Sequence, residues 1–99
     1  MTNHLCETDN FLVNVMEECA EVSQEASKAI RFGLSNHAPN TTQTNADRIL
    51  TEYYQLTAVI EKLQRDGKLP SWGPEVVNAI KDSKIKKIRE WNNRHTGES

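Results

Sequence analysis

A chain of 99 residues that is 36% hydrophobic, with a formal net charge of −2, has the length of one domain and a modest supply of apolar side chains. That charge argues against non-specific nucleic-acid binding as the main activity, and no apolar run is long enough for a signal peptide or a membrane span. Two cysteines, Cys6 and Cys19, form no CxxC or Cys/His cluster, which argues against structural zinc and a disulfide framework and leads us to expect a cytoplasmic protein.

The charge is uneven along the chain. Residues 1–72 carry ten acids against six Lys/Arg, and residues 73–99 carry four against six. Few Gly and Pro, and no alternating β-branched runs, predict an all-α protein: three main helices in a single domain spanning 1–99, completed by self-association because so short a chain buries little surface.

The first helix is predicted over about 9–32, with Thr8, Asp9 and Asn10 as N-cap candidates and Gly33 as its C-cap. Leu12, Met16, Cys19, Ser23, Ala26 and Ile30 recur at steps of four and three and make one stripe. A second stripe lies beside it: Phe11, Val15, Glu18, Val22, Glu25 and Ala29. A polar loop, "LSNHAPNTTQT" (34–44), follows; its length and composition suit a functional or mobile loop. Thr44 or Asn45 caps a second helix over about 45–66, whose stripe is Ala46, Ile49, Tyr53, Leu56, Ile60 and Leu63. Tyr53 and Tyr54 read as packing residues. "GKLPSWGP" breaks the chain again, and Pro74 suits the first turn of a third helix over about 74–92, with a frayed tail after Asn92. Lys81, Lys84, Lys86, Lys87 and Arg89 make that helix basic, which reads as a solvated face.

The carboxylates hold the chemical interest. Glu18 and Glu21 lie about 60° apart around a helix, so both can reach one point. Glu18, Glu25 and, on the second helix, Glu52 have apolar neighbours at helical spacing. A desolvated carboxylate is costly unless a cation or a basic side chain sits beside it. Two helices offering inward glutamates suit a hard divalent metal with oxygen ligands. A di-iron site is disfavoured, because His4, His37 and His95 lie outside the stripes and no Glu-x-x-His pair forms. The alternative, a solvated acidic face that suits the helix dipole, stays open on the pattern alone.

"EECAEVSQEASKAIRFG", followed after the loop by "NADRILTEYYQLTAVIEKL", resembles the MazG-like all-α nucleoside triphosphate pyrophosphohydrolases, in particular their short bacteriophage-type members. The resemblance covers roughly residues 10–65. It implies an EExxE segment, matched by Glu17, Glu18 and Glu21, and a later ExxD segment, matched at Glu52 with Gln55 where the family has aspartate. It implies Mg²⁺, with Mn²⁺ as a substitute, held by Glu18, Glu21, Glu52 and Gln55, and Glu17 or Glu21 as the base. It also implies an NTP or dNTP substrate met by Lys28, Arg31, Asn45 and Arg48, a homodimer or homotetramer, no membrane or nucleic-acid partner, and residence in the host cytoplasm if phage-encoded. The rival expectation is a catalytically degenerate nucleotide-binding or protein-interaction module.

Overall fold

The computed structural model describes residues 6–95, and within them every regular element is helical: α1 (Glu7–Phe32), α2 (Asn45–Arg65) and α3 (Pro74–His95). The polar N-terminal residues Thr2, Asn3 and His4 lie outside the described residues, as does 96–99 of the tail. The chain separates into two compact units, Met1–Leu69 and Pro70–Ser99.

In the first unit α1 packs against α2 as a helical hairpin. Helix α1 starts earlier than the predicted caps: Cys6, in extended conformation, is the N-cap and its Sγ accepts from Asp9 N–H at 3.4 Å. Glu7 and Asp9 then fall in the first turn, where the helix dipole favours acids. Gly33 ends the helix at φ 94°, a region open to glycine, and donates to Ala29 O at 2.8 Å.

Helix α2 opens with the expected Thr44 cap, in a full capping box. Thr44 Oγ1 accepts from Asp47 N–H and Asp47 Oδ2 accepts from Thr44 N–H, satisfying two end groups reciprocally. Its other end is a Schellman turn about Gly67 (φ 74°), with Lys68 N–H donating to Leu63 O and Gly67 N–H to Gln64 O. The 34–44 loop is tied down at both ends. Asn45 N–H donates to Asn36 O and Ala46 N–H to Leu34 O, while His37 and Thr44 form an isolated antiparallel bridge.

The stripe of α1 that contains Glu18 and Glu25 is the shielded one. Phe11, Val15, Glu18, Val22 and Ala29 are half-buried and Glu25 is buried, whereas Leu12, Met16, Cys19 and Ile30 of the other stripe are exposed, Ile30 to 86%. On α2, Ile49, Leu56 and Ile60 are half-buried and Leu63 is fully buried, while Tyr53 and Tyr54 are exposed and pack edge to face on each other at 5.1 Å. Among the described residues Leu63 is the one buried hydrophobic side chain.

The second unit carries α3, which begins at Pro74 and runs through His95, three residues beyond the expected end. Trp91 and His95 stack at 4.2 Å, and His95 Nδ1 pairs with Trp91 O, which holds the last turn together. No α3 residue is buried; Val76, Ile80, Ile85, Ile88 and Trp91 all present large apolar surface.

Candidate metal centre

The α1–α2 interface brings two groups of carboxylates into different surroundings. The first is Glu25, 3% exposed in the shielded stripe of α1. Arg48 reaches it from the first turns of α2, with Nε 3.0 Å from Glu25 Oε1, and Lys28, one turn on, places Nζ 3.3 Å from Oε2. Burial alone would raise the proton affinity of this carboxyl. The hydrogen bonds and charges of Arg48 and Lys28 outweigh it and hold Glu25 below the ordinary value of 4.5. Lys28 and Arg48, expected at a substrate phosphate, are thus spent on Glu25 in this arrangement. Each remains about a third exposed.

The second group is Glu18, Glu21 and Glu52. Glu18 and Glu52 are half-buried and Glu21 is exposed, and none of the three forms an ion pair among the described residues. Loss of water raises the Glu52 carboxyl above 4.5. The charges of Glu18 and Glu21, a carboxyl–carboxyl hydrogen bond with Glu18 and the charge of Glu25 raise it further. Gln55, one turn along α2 and exposed, faces both acids. Its Nε2 lies 2.9 Å from Glu52 Oε2 and 3.1 Å from Glu18 Oε2, one N–H for each; the orientation is assigned because ionised carboxylate oxygens accept and do not donate.

The donor set fits a hard divalent ion in its chemistry: carboxylate oxygens from two facing helices with excess negative charge. As the side chains stand, no three carboxylate, histidine or cysteine groups among the described residues are gathered closely enough to hold a metal, and the Gln55 amide bridges two of the oxygens that would.

The other expected residues are dispersed. Glu17 is exposed on α1. Arg31 is exposed, donates to Ser27 O and lies 5.2 Å over the Phe32 ring. Asn45 is 6% exposed and its amide donates to Gly33 O at 2.8 Å, so it closes the loop onto the end of α1. Beside it is a cavity of about 310 Å³ lined by Lys28, Phe32, Asn36, His37, Pro39 and Asn45. His37 Nδ1 donates to Ala38 O at 2.9 Å, the carbonyl being an acceptor only. Sequence periodicity gave no sign of this cavity, because a capped loop builds it.

The Glu25 ion pairs were foreshadowed only by a carboxylate standing in an apolar stripe. No helix among the described residues is long and apolar enough to cross a membrane. No family model matches the chain, and neither a curated protein nor a solved structure matches it.

Proposed function

We propose that this protein is a Mg²⁺-dependent nucleotide pyrophosphohydrolase that converts an NTP or dNTP to the monophosphate and pyrophosphate. One observation carries the reading: Glu18, Glu21 and Glu52 lie near enough across the hairpin for the charges of the first two to act on Glu52, without a basic partner among the described residues, on the segments that resemble the MazG-like EExxE and ExxD motifs. Glu25, on the same interface, has two such partners, so the fold supplies cations where a carboxylate is structural.

Glu18, Glu21 and Glu52 would hold the metal, with Mn²⁺ as a substitute. When bound, Mg²⁺ supplies neutralisation of the phosphate oxygens and of the charge on the departing pyrophosphate. Glu17 or Glu21 accepts the proton of the water that attacks the α-phosphorus. Arg31, exposed and without an ion pair among the described residues, offers N–H groups to the phosphates. Lys28, about a third exposed, presents its ammonium at the rim of the 310 Å³ cavity, which suits the nucleoside end. The cavity lies on the C-terminal side of the acids, with Glu21 and Lys28 about 10 Å apart along α1 at the helical rise. The exposed apolar residues Leu12, Met16 and Ile30 of α1 are covered by a second copy of the chain in a homodimer or homotetramer.

A second reading, a degenerate nucleotide-binding or protein-interaction module, is favoured by the Gln55 amide standing between Glu18 and Glu52. A screen of pyrophosphate release across NTPs and dNTPs, with Mg²⁺ and with Mn²⁺, separates the two. Metal-dependent release that Glu18→Gln abolishes is the expected result. Nucleotide binding without release from any substrate would establish the second reading.

A further inference from the structure

We propose that the cavity beside Asn45 binds a pyrimidine base, and that Asn45 Oδ1 reads an N–H on the edge of that base. The inference deepens the nucleotide reading above and rests on it for the choice of a nucleobase. It uses neither the acidic residues nor a metal.

The cavity, of about 310 Å³, has the size of a small ligand site. The loop that builds it is fixed at its ends: Asn36 O accepts from Asn45 N–H at 2.8 Å and Leu34 O from Ala46 N–H at 2.9 Å. Asn45 is 6% exposed, and its Nδ2 donates to Gly33 O at 2.8 Å. A backbone carbonyl only accepts, so this amide has one orientation and its Oδ1 faces away from Gly33. That oxygen has no hydrogen-bond partner among the described residues, and no polar side-chain atom among them is both sealed from solvent and unpaired. It therefore opens onto the cavity that Asn45 lines. A nearly buried acceptor with no donor from the chain is costly unless a guest or water supplies one.

Donors stand around this acceptor. Asn36 Oδ1 accepts from His37 N–H at 2.9 Å, which orients the Asn36 amide and leaves its Nδ2 without a partner among the described residues. Lys28 gives one of its three N–H groups to Glu25 Oε2 and offers the others at the rim. Phe32, 58% exposed, adds an aromatic surface on which a base can stack. One acceptor beside amide and ammonium donors matches a pyrimidine edge. Asn45 Oδ1 takes the ring N–H of a uracil-type base or the amine of cytosine, and a neighbouring carbonyl or ring nitrogen is left for Asn36 and Lys28. The small volume favours one ring over two.

The test uses nucleosides, which carry no phosphate and so report on the cavity without metal or turnover. Two-dimensional NMR of the full chain is followed as uridine, cytidine, adenosine or inosine is added at millimolar concentration. Uridine or cytidine should shift the signals of Phe32, residues 36–39 and Asn45, and both purine nucleosides should bind more weakly. Replacing Asn45 would also release the loop from α1, so the donor is removed from the ligand instead. Whichever pyrimidine binds should lose at least about tenfold in affinity as 3-methyluridine or N4,N4-dimethylcytidine, because the buried acceptor is then left unpaired. That comparison also tells a uracil-type edge from a cytosine edge. Asn36→Asp keeps the acceptor for His37 N–H and removes the amide donors at an exposed position, so the fold is expected to survive. It should weaken pyrimidine binding about three- to tenfold with little change in melting temperature. Tighter binding of a purine nucleoside, equal binding of methylated and parent pyrimidines, or no shifts at these residues with any nucleoside would overturn the proposal. Pyrophosphate release that persists in that last case would leave the hydrolase reading standing. Pyrimidine binding without release from any triphosphate would support the cavity site and count against that reading.

Discussion

Two carboxylates of the same hairpin, Glu25 and Glu52, meet opposite fates. Glu25 is buried, hydrogen-bonded by Arg48 and Lys28, and held below the ordinary glutamate range. Glu52 is half-buried, faces Glu18 and Glu21, receives only a neutral amide and is pushed above that range. Burial acts in the same direction on both groups; the neighbours decide the sign. A carboxylate that the fold neutralises from within has a structural task. One left among like charges costs stability unless something outside the chain compensates it, and that is the physical ground for proposing the cation site at Glu52 rather than at Glu25.

The sharpest way to break this contrast is Glu52→Gln. It should lower Mg²⁺-dependent turnover at least about a hundredfold while leaving helix content unchanged and the metal-free melting temperature level or higher, because a repelled charge is gone. Circular dichroism and a melting curve beside the turnover assay check both halves. Unfolding of this variant would make Glu52 a structural residue like Glu25.

Arg48→Met is the converse experiment. It leaves a buried carboxylate with one cation and should cost roughly 1–3 kcal/mol of stability, which for a chain of this size lowers the melting temperature by several degrees or more. Lys28→Met, removing the more distant partner (3.3 Å against 3.0 Å for Arg48), should cost less than about 1 kcal/mol. Equal losses from the two would mean that Glu25 leans on both alike.

The pH dependence separates the two acids without mutation. Glu52, with its folded value raised, lets the folded state bind protons first. Stability should rise as pH falls from neutral toward the ordinary value of 4.5. Glu25, with its folded value lowered, contributes stability that is present above 4.5 and lost as pH drops further through its depressed value. Melting temperatures across this range should pass through a mildly acidic maximum, and in Glu52→Gln the rising limb should flatten.

The sequence was most legible where the cause is local. Gly33, the Thr44 cap and Pro74 mark ends that the structure keeps, because capping and fixed dihedrals are properties of a few adjacent residues. Cys6 escaped as the first cap because Thr8, Asp9 and Asn10 offer the more usual oxygens, yet end up inside the first turn. Periodicity gave two apolar stripes on α1 and could not choose between them. Glu18 and Glu25 made the true packing stripe look the poorer one, and the reason it packs lies on α2, where Arg48 sits 23 residues from Glu25. Long-range charge pairing of this kind has no signature in spacing. The same holds for Gln55: its identity was visible, but that it points its nitrogen at two acids follows only from the way the helices meet.

The central claim is that the acids without internal cations await one from outside. Calorimetric titration of Mg²⁺ into the parent protein and into Glu52→Gln, each with and without a non-hydrolysable triphosphate, tests it most directly. The account predicts binding by the parent, strengthened by the nucleotide, and its loss in Glu52→Gln. Equal binding by the two proteins, or no binding by the parent even with nucleotide, would contradict it.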